Sequence, residues 1–449
     1  MNFRKAVLLA FAGFWLPAMA LTGSWRGELN LGANRLPLVF NFSMESGVQR
    51  CTMDSPLQGA KMIPVRVRFC TADSVALSII NLGVTFNGTV TPTQISGTFR
   101  QMGQALPLIL VPERPLDERR PQTPKPPFPY QEIDTTFASA DGTLLSATLV
   151  VPDGAVAGRC PAVVMVTGSG PQNRDEELFG HKPFAVIADA LARHGIASLR
   201  YDDRGVGRSQ GSYAESDIDD FTADASAALE FLSSFPQFGK TGVLGHSEGG
   251  TIALRLGATA HPDFVVSLAA AAERGKDIML DQNRHSLEKA QVDPVQRETI
   301  IGLLSKVFDE IAAGRTVEAA DVDSLAKDMD IIPEYAAMLK QNIAATGQSE
   351  YLRQTIALDP SQWLGKIDCP VLALNGTKDT QVNATRNLAV IKSCVNGATI
   401  KSYDGLNHLF QPATTGELTE YETITTTISP QVLKDIADYI SAAGFPDKK

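Results

Sequence analysis

Cysteine and histidine are scarce in this chain: five and six residues out of 449. The histidines are scattered, and no Cys/His cluster has zinc spacing, so no metal site is expected. An odd number of cysteines leaves at least one thiol unpaired. A basic excess is also missing. Lys and Arg number 40 against 50 Asp and Glu, a net charge of −10 at pH 7, which argues against nucleic acid as a partner. Long hydrophobic runs are missing too. The apolar stretch Ala6 to Leu16 is too short to span a bilayer, and no later stretch reaches that length. No membrane span is therefore expected. Composition fixes no oligomeric state.

That short apolar stretch sits in a recognisable setting. Arg4 and Lys5 precede it, and Pro17-Ala18-Met19-Ala20 follows. A charged start, a short apolar middle and an A-x-A end make a secretory leader. Residues 1–20 are expected to be a signal peptide cleaved after about Ala20, giving a secreted or periplasmic protein. An oxidising compartment permits disulfides. The expected pairs are Cys51–Cys70 and Cys369–Cys394, leaving Cys160 free.

Residues 21–112 read as all-β. Ser24 to Leu31 and Leu36 to Met44 alternate in polarity, and further short strand-like runs follow with turn residues between them. A small barrel or sandwich is expected. This segment holds no histidine, and no catalytic constellation is visible in it. Residues 113–130 are rich in proline and charge and read as an extended linker. From Gln131 the texture changes. After a hairpin around Ala140-Asp141-Gly142, strands and helices alternate to about residue 445, the signature of a mostly parallel sheet. Between about 272 and 364 the alternation stops and only helices are expected. Ile300, Leu304, Val307 and Ile311 share one helical face there, and Gly314 ends that helix. An all-helical insert at this place is where a cap would be built.

The most informative segment is Gly245-His246-Ser247-Glu248-Gly249-Gly250. An apolar run, Thr241 to Leu244, leads in, and a helix-periodic segment from Thr251 leads out. Strand, sharp turn and helix with serine at the tip is the context of a nucleophile elbow. A second G-x-S-x-G match, Gly207 to Gly211, follows a charged turn and leads into polar residues, so it reads as a loop. A serine alcohol needs a base to take its proton, and that base needs an orienting carboxylate. With the chain order Ser, acid, His, the expected base is His408, just past the final strand, rather than His285 in the helical insert. The expected acid is Asp379, on the loop after Val371 to Leu374, where sites form in open α/β sheets. Asp404 is the competitor and reads as a turn former. The oxyanion needs two backbone donors. Glu248 supplies one. The loop Thr167-Gly168-Ser169-Gly170 supplies the other, Ser169 as first choice and Gly168 as second. His246 reads as a packing and hydrogen-bonding residue. Tyr201 to Arg204 reads as a turn held by local ion pairs.

With these residues in view, about 130–445 resembles bacterial serine esterases of the α/β-hydrolase superfamily that carry a helical cap. The matching stretches are Gly168 to Asp175, Leu199 to Gly207, Gly245 to Gly250, Asn375 to Asp379 and Leu406 to His408. The resemblance implies Ser247, Asp379 and His408 as the triad, and carboxylesterase activity on short acyl esters without metal or organic cofactor. One departure stands out. Members often have His-Gly where this chain has Thr167-Gly168, and that histidine usually braces the oxyanion loop. Its loss bears on loop geometry, not on the mechanism. Through Asp54-Ser55-Pro56 and Gln58-Gly59-Ala60, the Ser24 to Val111 segment also resembles an extra N-terminal β domain of some secreted members. The resemblance assigns that domain no chemistry.

The expected protein is thus an α/β-hydrolase with a helical cap insertion and a small all-β domain before it. The expected activity is carboxylesterase action on a small-molecule ester through an acyl-enzyme. Fold alone leaves rivals open: a serine peptidase or amidase, an acyl-thioester hydrolase, or a binding protein with an inert hydrolase domain.

Overall fold

The computed structural model describes residues 21–31, 34–45, 48–58, 60–113, 119–327, 329–346 and 349–444. The expected leader, residues 1–20, lies outside the described residues, as does 114–118 of the expected linker. The chain forms two compact units, and the division in sequence falls between Arg119 and Arg120.

The first unit is a closed eight-stranded barrel. Its strands are β1 (Gly23–Leu31), β2 (Asn34–Glu45), β3 (Val48–Ser55), β4 (Ala60–Cys70), β5 (Ser74–Ile79), β6 (Val84–Val90), β7 (Ile95–Gln101) and β8 (Gln104–Pro112). Each pairs antiparallel with the next, and β1 closes on β8 through Trp25 opposite Pro112 and Arg26 opposite Val111. Closure removes the sheet edges that an open sandwich would leave. Alternation sends Leu38, Phe40 and Phe42 of β2 inward, where they meet Phe86, Ile95 and Leu110.

The cysteine pairing differs from expectation: all five cysteines are free thiols. In the β3–β4 ladder Cys51 lies opposite Val65. Cys70 closes β4 opposite Val75 of β5, and the two thiols make no bridge. Burial pushes the Cys51 thiol up to about 12, with a smaller push from Cys70. Cys394 ends a helix with its Sγ turned to Ser393 Oγ, 3.7 Å away, and makes no bridge to Cys369.

The second unit is an α/β-hydrolase fold. Its strands are β9 (Tyr130–Ala138), β10 (Leu144–Pro152), β11 (Cys160–Val166), β12 (Ala197–Tyr201), β13 (Phe238–His246), β14 (Phe264–Leu268), β15 (Val371–Gly376) and β16 (Thr399–Tyr403). They form one sheet in the order β16-β15-β14-β13-β11-β12-β10-β9. The β9–β10 hairpin and its pairing to β12 are antiparallel, and the remaining pairs are parallel. Helices α1 (Pro183–Arg193), α2 (Ile218–Ser233) and α3 (Glu248–Thr259) follow β11, β12 and β13.

Helices on both faces explain why the central strands read as unbroken apolar runs. In β11, Ala162, Val164 and Val166 face one core, shared with Ala228 of α2 and Ile252 of α3. Val163 and Met165 face the other, shared with Ile187 and Leu191 of α1.

Between β14 and β15 the sheet is interrupted by α4 (Gly275–Lys289), α5 (Pro294–Ala312), α6 (Ala319–Ala326), α7 (Pro333–Thr346) and α8 (Glu350–Ala357). These helices bury Leu303, Val307, Ile311 and Val322 in a core of their own. Asp293 caps α5 by accepting from the Val295 and Gln296 amides, and Gly314 follows its end with φ +76°. After β15 come α9 (Ala384–Cys394), the short α10 (Leu418–Tyr421) and α11 (Pro430–Gly444). Pro430 opens α11, which buries Val432, Ile436 and Ile440 against the sheet.

The stretch just after the division is tied down. Arg120 is buried, and its guanidinium donates to the carbonyls of Phe179, Glu422 and Ile424 at 2.8–3.2 Å. Gln122 accepts from the Thr427 amide and donates to the Ile428 carbonyl. From Arg120 onward the proline-rich segment belongs to the hydrolase unit.

Candidate active site

Ser247 stands between the end of β13 and the start of α3 with φ +54° and ψ −119°, a backbone that a non-glycine residue adopts only at a cost. Two glycines make the turn possible. A Cβ on Gly245 would lie 1.9 Å from the Gly249 carbonyl oxygen, and one on Gly249 would lie 2.1 Å from that of Val166. The Ser247 amide donates to the Leu268 carbonyl at 2.8 Å, which ties the turn to the end of β14.

Asp379 and His408 come together from the loops after β15 and β16. His408 Nδ1 lies 2.6 Å from Asp379 Oδ2. An ionised carboxylate only accepts, so the ring proton sits on Nδ1 and Nε2 is left as a base. Both side chains are almost wholly buried. The other Asp379 oxygen accepts from the Gln381 and Val382 amides at 2.8 and 2.9 Å, which fixes the carboxylate. Asn407 Oδ1 accepts from the Leu409 and Gln411 amides and sets the His408 loop. The His408 ring packs on that of His246, the neighbour of Ser247, with centroids 4.8 Å apart.

The competing residues lie elsewhere. Asp404 is exposed and accepts from Thr377 Oγ1. His285 on α4 pairs with Glu417 at 2.9 Å. Ser209, of the second motif, donates to the Asp202 carbonyl and accepts from the Ser146 amide, a loop fastening.

The loop after β11 packs beside the elbow. A Cβ on Gly168 would come within 3.2 Å of Ser247 Cβ. The two residues considered as its oxyanion donor differ here. The Gly168 amide already donates to Glu176 Oε1 at 2.8 Å, so that donor is engaged within the protein. The amides of Ser169 and Glu248 donate to no acceptor among the described residues. Glu248 opens α3, so the positive end of the helix dipole adds to its amide.

The turn Tyr201 to Arg204 is held by ion pairs that are not local. Arg174 grips Asp202 with two nitrogens, at 3.0 and 2.7 Å. Arg204 grips Asp224 of α2 at 2.7 and 2.5 Å. Asp203 accepts from Thr167 Oγ1 and the Gln172 amide. Burial pushes the Asp203 carboxyl up to about 7 despite these two bonds.

Three residues of this region were silent in the sequence: Glu176, Tyr213 and Tyr351. Glu176 reaches His246 and Gly168. Tyr213 accepts from the Gly170 amide at 2.8 Å. Tyr351 of α8 donates to Glu248 Oε2 at 2.7 Å, joining the cap to the elbow. Burial raises the Glu248 carboxyl, and the Tyr351 bond opposes that rise.

Ser247, Ser169 and Glu248 open onto a cavity of about 280 Å³. Its far walls are mostly apolar, with Ile278 and Met279 of α4, Leu352 of α8, and Trp363. Arg255 is the basic side chain on its wall and is paired with Asp219 at 2.7 Å. Among the described residues no group of three or more His, Cys, Asp or Glu could hold a metal ion, and no helix is long and apolar enough to cross a membrane.

Residues 182–411 match the family described as Hydrolase_4, serine aminopeptidase, S33. The chain belongs to the S33 serine aminopeptidase family. The S33 match begins just before α1 and ends three residues after His408, so it takes in the elbow and the Asp379–His408 pair.

Among curated relatives, the chain is 25% identical over 285 residues to the esterase EstD of Thermotoga maritima, covering 63% of this chain and 61% of that protein's length. It is 26% identical over 228 residues to a monoacylglycerol lipase of Mycolicibacterium smegmatis, covering 49% of this chain and 74% of that one. It is 28% identical over 231 residues to a non-heme chloroperoxidase of Streptomyces lividans, covering 48% and 76%. Similar solved structures include an esterase from Pyrococcus furiosus, with TM-score 0.43, 13% identity, and 70% of this chain and 92% of that one covered. An esterase from Exiguobacterium antarcticum has TM-score 0.40 and 19% identity, covering 69% and 99%.

Proposed function

We propose that the protein is a carboxylesterase that works through Ser247, His408 and Asp379. The observation that carries this reading is the 2.6 Å bond from His408 to the buried Asp379, made beside an elbow serine that opens onto a cavity. His408 Nε2 takes the Ser247 proton as Oγ bonds to the ester carbonyl carbon. The carbonyl oxygen becomes an oxyanion held by the Ser169 and Glu248 amides. The oxyanion then collapses, the C–O bond to the alcohol breaks, and His408 returns the proton to the leaving alkoxide. An acyl group remains on Ser247. Water, deprotonated by the same histidine, releases it as a carboxylate. Asp379 orients the ring and stabilises its charge in both halves.

The apolar walls of the 280 Å³ cavity support an ester with an apolar group of modest size. The esterase and lipase names among the relatives support ester over amide chemistry. The leader-like segment ending near Ala20 supports a secreted or periplasmic location.

The S33 description, serine aminopeptidase, favours a second reading, hydrolysis of aminoacyl amides at the same triad. Paired assays with nitrophenyl acyl esters of increasing chain length and aminoacyl nitroanilides separate the two. Fast release of nitrophenol with little nitroaniline is the expected result. The opposite preference would replace esterase with aminopeptidase.

A further inference from the structure

Behind the elbow lies a carboxylate–imidazole pair that the reaction does not consume. Glu176 and His246 are 4% and 6% exposed. Glu176 Oε1 is 2.9 Å from His246 Nδ1 and 2.8 Å from the Gly168 amide nitrogen. His246 Nε2 is 3.0 Å from the carbonyl oxygen of His408. One side-chain pair thus touches the oxyanion loop, the strand that delivers Ser247, and the backbone of His408.

Proton counting defines the state of this pair. A carbonyl only accepts, so Nε2 must carry a hydrogen. The oxygen facing Nδ1 belongs to a carboxylate that also receives the Gly168 amide. A ring with both nitrogens aimed at acceptors is satisfied when it holds two protons, as an imidazolium against a carboxylate.

Two costs accompany the arrangement. Glu176 sits at φ +52°, a conformation rare outside glycine. Its second oxygen, Oε2, is buried without a hydrogen-bond partner. A strained backbone and an unsatisfied buried oxygen persist where the surrounding structure imposes them, and they cluster at functional sites. Thr167 turns its hydroxyl to Asp203, and Glu176 grips the next residue, Gly168.

We propose that Glu176 and His246 are positioning residues: together they brace the oxyanion loop through Gly168 and hold His408 in register with Ser247. This rests on the triad reading above. Neither residue exchanges a proton with substrate. Their action is to keep the Ser169 amide and the His408 ring where the transition state needs them.

The test uses the full-length protein with nitrophenyl acetate, with active sites titrated by a fluorophosphonate so that kcat is counted per folded site. Glu176→Gln retains an oxygen for the Gly168 amide but not the charge that sustains a doubly protonated ring. Glu176→Ala retains neither. The expected order of kcat is wild type, then Glu176→Gln, then Glu176→Ala, with the alanine variant down by about tenfold to a hundredfold, somewhat less than loss of an oxyanion donor itself. KM stays within about threefold, because the brace acts in the transition state. The rate of fluorophosphonate labelling falls in the same order, and His246→Gln follows the alanine variant. Per-site kcat within threefold of wild type in Glu176→Ala and His246→Gln would overturn the proposal. So would a loss carried wholly by KM or by the number of titratable sites. Ser247→Ala runs alongside. If it keeps turnover, the triad reading fails. If it is dead while the Glu176 and His246 variants keep wild-type kcat, only the brace fails.

Discussion

In the proposed triad, place rather than residue type favours Asp379 over Asp404 as the acid. Both lie on loops at the carboxyl end of the sheet, and both are near His408 in sequence or space. Asp379 is buried, accepts two backbone amides on one oxygen and bonds His408 with the other. Asp404 is exposed and fastens Thr377. Asp379→Asn should lower kcat by about three to four orders of magnitude, the scale of the same change in a serine protease triad. Asp404→Asn should change it less than threefold. Steady-state kinetics on both variants checks this, and equal losses would move the acid to Asp404. Asp379 and His408 were singled out because each follows a strand in the order that the elbow chemistry requires, and the structure brings the two side chains together. Glu176 was not. It pairs with His246 across seventy positions, and nothing in Asn173-Arg174-Asp175-Glu176 distinguishes its carboxylate from its neighbours. The taking of the Gly168 amide by Glu176 was hidden for the same reason.

Among the elements, the parallel strands were readable because a stretch buried on both faces reads as an unbroken apolar run, as in β11, in Val243-Leu244 of β13 and in Val371 to Leu374 of β15. The cap helices were readable from a single stripe such as Ile300, Leu304, Val307 and Ile311. How the cap fastens to the site was not readable, since it depends on one hydroxyl of α8. Tyr351 donates to Glu248 Oε2, and its ring lies edge-on to Phe221 of α2, with centroids 6.2 Å apart. Tyr351→Phe keeps the ring and removes the bond. Stability should fall by about 1.5–3 kcal/mol, the scale of a hydrogen bond to a charged acceptor. KM for longer acyl esters should rise more than kcat falls, because α8 also forms a cavity wall. Thermal melts and an acyl-chain series test both statements. An unchanged melt with unchanged KM would show that the bond does not fasten the cap.

For the whole molecule, the proline-rich stretch 113–130 was read as a linker before a change of texture at Gln131, and the chain divides within that stretch, between Arg119 and Arg120. Alternation left barrel and sandwich both open, because the pairing of β1 with β8 that closes the barrel joins segments more than eighty residues apart and leaves no local pattern. The proline-rich stretch held a second surprise. Composition gave it as a spacer, yet Arg120 is fixed by three backbone carbonyls. Each unit has a core of its own. A chain beginning at Arg120 should therefore fold and turn over nitrophenyl acetate within about threefold of the full-length kcat. A chain beginning at Gln131 should be less stable by about 2–4 kcal/mol, because it leaves the Phe179, Glu422 and Ile424 carbonyls without their guanidinium. Differential calorimetry and the same assay check the pair. A folded Arg120 chain with no activity would place part of the site in the barrel.

The central claim is that Ser247 is the nucleophile, and covalent capture tests it most directly. The full-length protein is treated with a fluorophosphonate, digested, and mapped by mass spectrometry, with Ser247→Ala treated in parallel. One adduct per chain, on the peptide containing Ser247, is predicted, together with loss of ester hydrolysis in step with labelling. The alanine variant should neither label nor turn over. An adduct on Ser209 or another residue, or normal turnover by Ser247→Ala, would contradict the account.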